Sequence, residues 1–91
     1  MKYGFESWEI AGMARFRLSA REQALKVRFE PSGQECVIEA GDYLDISVYP
    51  LREEQADQAE LTLEYWDEEF VISQDACQLI AEFSTGMDVG V

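Results

Sequence analysis

Apolar and polar residues alternate with a period of two along most of this chain. Ala14, Phe16 and Leu18 alternate with Arg15, Arg17 and Ser19, and Leu25, Val27 and Phe29 alternate with Lys26, Arg28 and Glu30. Leu44, Ile46 and Val48 alternate with Tyr43, Asp45, Ser47 and Tyr49, and Leu61, Leu63 and Tyr65 with Glu60, Thr62, Glu64 and Trp66. Successive side chains of a strand point to opposite faces, so each run predicts a strand with one apolar and one polar face. Residues 35–40 predict a further strand and Tyr3 to Ile10 a weaker one. Phe70-Val71-Ile72 follows Asp67-Glu68-Glu69 closely enough to be the return strand of a hairpin.

Pro31-Ser32-Gly33-Gln34 and Gly41-Asp42 are turn signals between these runs. Short links favour antiparallel hairpins over strand–helix–strand crossovers. The runs at 14–18 and 25–29 are therefore expected to form one hairpin, joined by a turn at Ser19-Ala20-Arg21-Glu22. Two stretches break the pattern. Leu51 to Ala59 is polar after Pro50 and reads as a loop or a short exposed helix. Residues 75–84 fit both periods: Ala76, Leu79, Ile80 and Phe83 share a helix face, and Cys77, Leu79, Ala81 and Phe83 share a strand face. Asp75 as N-cap, Gly86 just past the end and a single β-branched residue favour a helix. Ser84 to Val91 reads as a loose tail. The expected fold is mainly β (α+β), an antiparallel meander or small sandwich or barrel of about six or seven strands with one C-terminal helix at 75–84, in a single domain spanning 1–91.

Charge changes the picture of the polar faces. The chain of 91 residues carries a net charge of −12. Residues 1–30 hold six cations against four acids, whereas residues 31–91 hold one cation, Arg52, against fifteen acids. Such acidity repels nucleic acid and anionic membranes and attracts basic partners. The outward cations Arg15, Arg17, Lys26 and Arg28 would repel one another across a hairpin. Carboxylates are therefore expected beside them, with Glu6, Glu35, Glu60 and Glu64 as candidates.

Candidate chemistry is sparse. The chain has no histidine, which removes the commonest general base and transition-metal ligand. Cys36 and Cys77 form no CxxC pair and read as small buried apolar residues in a reducing compartment. The N-terminus has charge in place of an apolar signal region, which suggests the cytoplasm. The glycines build no phosphate loop. Asp67-Glu68-Glu69 lacks the calcium-loop pattern and reads as a solvated acidic turn. Neither an enzyme, a cofactor nor a metal is expected.

What remains is binding. Tyr43, Tyr49 and Trp66 fall on the polar phase of their strands, and exposed Tyr and Trp commonly anchor protein interfaces. They are expected among Asp45, Glu53, Glu54, Asp57, Glu60, Glu64, Asp67, Glu68 and Glu69, a surround suited to Lys and Arg of a basic protein. These twelve residues are the candidate partner-binding set. The composition is of the type found in immunity proteins, antitoxins and phage-encoded inhibitors. The expected role is to inhibit or neutralise a toxin, nuclease or other nucleic-acid-binding protein. Nucleic-acid mimicry is one variant, because alternate strand residues lie ~6.6–6.8 Å apart, about twice the axial rise per phosphate. The rival expectation is a non-catalytic assembly module forming a homodimer through strand edges and aromatics.

Overall fold

A computed structural model describes residues 3–10, 13–50, 60–75 and 77–89. They form nine strands: β1 (Tyr3–Ile10), β2 (Met13–Ala20), β3 (Leu25–Glu30), β4 (Gln34–Ile38), β5 (Tyr43–Pro50), β6 (Glu60–Trp66), β7 (Glu69–Asp75), β8 (Cys77–Phe83) and β9 (Asp88–Val89). The strands make two sheets, a five-stranded one in the order β1-β2-β5-β8-β9 and a four-stranded one in the order β4-β3-β7-β6. We call these sheet A and sheet B. Pairing is antiparallel throughout except between β3 and β7, which run parallel. No helix among the described residues is long and apolar enough to cross a membrane.

The alternation sets the layers. Phe16 and Leu18 of β2, Val27 and Phe29 of β3, Leu44 and Ile46 of β5, and Ile72 of β7 point between the sheets, each at most 4% exposed. Burying such side chains is the main drive for closing two sheets face to face. The polar phases face outward on both sides.

Two expectations are corrected. The helix at 75–84 is absent: β8 occupies that stretch, with Cys77, Leu79 and Ala81 buried and Gln78, Ile80 and Glu82 exposed. Tertiary packing overrides helix propensity here, because β5 needs a neighbour on its far side and Leu79 and Ala81 complete the core. The apparent N-cap at Asp75 is the last residue of β7, beside which Gln74 Oε1 accepts the Cys77 N–H at 3.1 Å. Gly86, with φ +87, sits in the turn that returns β9 onto β8. Residues 88–89 of the expected tail are therefore paired.

The hairpin expected between 14–18 and 25–29 is also absent. β2 pairs with β1 and β5 in sheet A, while β3 pairs with β4 and β7 in sheet B. Residues 21–24 cross between the sheets, and residues 39–42 cross back. The two crossings are tied together by backbone bonds from the Gly41 N–H to Ala20 O and Arg21 O, both 3.1 Å, and from the Ala20 N–H to Asp42 O, 3.0 Å. Gly41 has φ +83, a conformation that costs glycine nothing. The stretch Leu51 to Ala59 lies outside the described residues.

Candidate functional site

Both outer faces combine cations, carboxylates and aromatic rings, but they are wired differently. On sheet A, directly opposed residues build a row from Glu6 through Arg17 and Asp45 to Glu82. Arg17 donates from Nε to Asp45 Oδ1 at 2.7 Å and from Nη2 to Oδ2 at 3.0 Å, a bidentate pair. That hydrogen bonding holds the Arg17 pKa above its ordinary value. The guanidinium carbon lies 3.9 Å from the centre of the Tyr43 ring and 5.9 Å from that of Trp8. Arg15 lies 5.9 Å from the same Trp8 ring. The row beside it reads Trp8, Arg15, Ser47 and Ile80, with Ser47 buried. At the sheet's end, Asp42 accepts from the Ser84 hydroxyl and from the Tyr43 N–H, which lowers its carboxyl pKa, the Ser84 bond most.

On sheet B, one row runs Glu35, Arg28, Val71, Glu64 and the next Val37, Lys26, Glu69, Trp66. Arg28 sits between two acids, Nε 2.9 Å from Glu30 and Nη1 3.2 Å from Glu69. These contacts are ionic more than directed, since Arg28 Nε and Glu69 Oε1 are buried without an aligned hydrogen-bond partner. Lys26 Nζ lies 3.7 Å from Glu35 on an open part of the face. Val71 is buried although it points outward, flanked by the side chains of Arg28 and Glu64. The β6–β7 hairpin turns through Asp67 and Glu68 at φ 53° and 62°. That pair of left-handed residues suits the twist of a two-residue hairpin loop.

The twelve candidate residues are thus divided. Tyr43, Asp45 and Tyr49 lie on the outer face of sheet A. Glu64, Trp66, Asp67, Glu68 and Glu69 gather at one end of sheet B, on its outer face and closing turn. Asp45 is taken up by Arg17, and Glu69 by Arg28. Glu60 opens β6 opposite Asp75, and Glu53, Glu54 and Asp57 lie outside the described residues. The basic strands do carry carboxylates. Glu35 is among those expected, Glu30 is the next residue on Arg28's own face of β3, and Asp45 and Glu69 are partners that strand pairing alone reveals.

Trp66 is the outlier among the rings. It is 58% exposed, and no cation among the described residues stacks on it. Its register partner is Glu69, and Asp67 follows it in the chain. Cations attract aromatic faces by about 0.5–1 kcal/mol at exposed sites, and more where water is excluded.

A further feature escaped the pattern of alternation. Phe5 is on the core phase of β1, opposite Leu18, yet it is 44% exposed. β1 and β6 are the terminal strands of their sheets on the same side of the sandwich. Tyr3 closes one end of the seam between them, its ring 4.8 Å from Tyr65 and 5.3 Å from Phe70. Past Phe5 the seam opens. Alternation marks Phe5 as inward, but only the strand order shows that little covers it.

Neither Cys36 nor Cys77 is in a disulfide. Burial pushes the Cys36 thiol up to about 11. Among the described residues, no group of three or more Cys, Asp or Glu is placed to hold a metal ion. Comparison with protein families, with curated proteins and with solved structures finds no match.

Proposed function

We propose that this chain is a protein-binding module that captures and neutralises a basic partner, with the β6–β7 end of sheet B as its contact surface. The observation that carries this reading is Trp66, an exposed ring with no stacked cation among the described residues, set among Glu64, Asp67, Glu68 and Glu69. Trp8 and Tyr43 hold this chain's own arginines, so their faces are occupied. A partner's Lys or Arg supplies Trp66 with what sheet A supplies to Trp8. Surfaces rich in Lys and Arg belong to toxins, nucleases and other nucleic-acid-binding proteins, whose own ligand is anionic. The cytoplasm, where free thiols persist, is the compartment that accords with this role.

Mimicry of a phosphate backbone draws little support from the geometry. The outward positions of β6 from residue 62 read Thr62, Glu64, Trp66, so carboxylates do not recur at alternate positions. Neutralisation through an aromatic anchor and its acidic surround describes the surface better.

The test is retention of proteins from the native cell on immobilised wild-type chain at low and high salt, with identification of what elutes. The expected eluate is a basic protein whose retention falls steeply with salt. Retention of no basic protein, or equal retention by a Trp66→Ala/Glu64→Gln/Asp67→Asn variant, overturns the reading. A second reading, a homodimeric assembly module, is favoured by the terminal positions of β1 and β6. Light scattering separates the two, since that reading requires a stable dimer in the absence of any partner.

A further inference from the structure

We propose that the β1–β6 seam receives an extended segment of the basic partner as an added strand on β6, and that this segment alternates apolar residues with Lys or Arg. The proposal rests on the function above and specifies how the partner is held. β6 is the last strand of sheet B, so one of its backbone edges has no strand partner among the described residues. Such an edge is a template for strand addition, in which main-chain hydrogen bonds give affinity and alternate side chains give specificity.

The two faces of β6 define the segment. On its inward phase, Leu61, Leu63 and Tyr65 remain half-buried. Two adjoining hollows of about 250 and 450 Å³ share Phe5 and Leu63 as walls, one reaching Tyr65 and the other Leu61 and Val48. They are open apolar space beside the unpaired edge, suited to aliphatic side chains pointing inward from an added strand. On its outward phase, Thr62, Glu64 and Trp66 are exposed. Residues opposite them on an added strand meet a carboxylate and a vacant aromatic face, which suit Lys or Arg. A second copy of this chain is a poor occupant. The stretch Glu60–Trp66 contains no Lys or Arg to place opposite Glu64, and each copy brings a charge of −12.

The test uses the full chain and synthetic peptides of about eight residues, a normal strand length. The probe alternates Lys and Val. One control alternates Lys and Ser, and a second is the Lys-Val peptide N-methylated at alternate residues along one edge, made in both registers. Affinity is read by calorimetry at low salt. The Lys-Val peptide is expected to bind about tenfold tighter than the Lys-Ser peptide, from the apolar side chains it buries. At least one methylated register is expected to lose most of the affinity by blocking backbone pairing. Phe5→Ser is expected to weaken the Lys-Val peptide about tenfold while leaving the Lys-Ser peptide unaffected. Because Phe5 is substantially exposed, that variant should keep the wild-type circular dichroism; the peptide comparison on wild type stands even if it does not. Equal binding of all four peptides, lost with Glu64→Gln/Asp67→Asn, overturns the seam and leaves the acidic-surface reading intact. No binding of any Lys peptide overturns both. A dimer in light scattering that Phe5→Ser dissociates gives the seam to a second copy and overturns the proposal.

Discussion

The outer faces of the two sheets use the same three side-chain types to opposite ends. On sheet A, a guanidinium is clamped by one carboxylate and faces two rings, so charge and aromatic surface satisfy each other. On sheet B, the cations are shared among carboxylates alone, and the ring of Trp66 is left over. The Arg17 cluster pairs its cation with both a carboxylate and rings. On sheet B, Trp66 has no stacked cation among the described residues. Composition is therefore a poor guide to a binding face, because the discriminating fact is which ring already has a cation.

The largest expected difference between the faces is in binding. Trp66→Ala should weaken a Lys-rich peptide by roughly thirtyfold, about 2 kcal/mol, the loss typical of an interface anchor. Tyr43→Ala, at a ring that holds Arg17 and lies away from the β1–β6 seam, should leave that affinity unchanged in the same calorimetric titration. Equal losses at the two rings would erase the distinction.

Stability should rank the other way. Arg17 and Asp45 retain 35% and 17% of their side-chain exposure, against 49% for both Lys26 and Glu35. A double-mutant cycle with alanine, read by urea denaturation, should give a coupling of about 1–2 kcal/mol for Arg17–Asp45 and about 0.5 kcal/mol or less for Lys26–Glu35. Smaller again is the effect of the β6–β7 turn. Replacing Asp67-Glu68 by Asn-Gly should raise stability by about 0.5–1 kcal/mol, since Gly and Asn adopt positive φ more readily. The same exchange should weaken the Lys-rich peptide, which would show a surface kept at some cost to the fold.

The smallest effect concerns pH. Asp42 has a lowered folded-state pKa, so its stabilising contribution is complete above the ordinary carboxylate pKa and disappears as pH falls through the lowered one. Ser84→Ala should move the Asp42 titration, followed by carboxyl NMR shifts, upward toward the ordinary value. An unmoved titration would mean that the Ser84 hydroxyl does not set it.

How much of this could be read from residue order varies by element. β2, β3, β5 and β6 declare themselves by alternation, and the Asp67-Glu68 turn by its place between two apolar runs. β8 does not, because Leu79 and Phe83 satisfy both periods and only pairing with β5 decides between them. Sheet membership is silent too. A short link such as residues 21–24 can close a hairpin or cross between layers, and the alternation of Phe16-Leu18 and Val27-Phe29 is the same in either case. That one uncertainty scattered the candidate site. Tyr43, Asp45 and Tyr49 share a phase with Trp66 but not a face, and the split follows from strand order alone.

The parallel pairing of β3 with β7 has a consequence for how the molecule assembles. Four hairpins, β1–β2, β3–β4, β6–β7 and β8–β9, are local and can form as soon as their residues exist. The centre of sheet B is different, because Val27 must find Phe70 across β4, β5 and β6. Closing so long a loop comes late and slows the whole reaction. During synthesis, the apolar sides of β3 and β4 wait without their partner until β7 has emerged. Charge gives these waiting sides little protection at first, because residues 1–30 hold six cations against four acids, and mutual repulsion builds only as the acidic remainder of the chain follows.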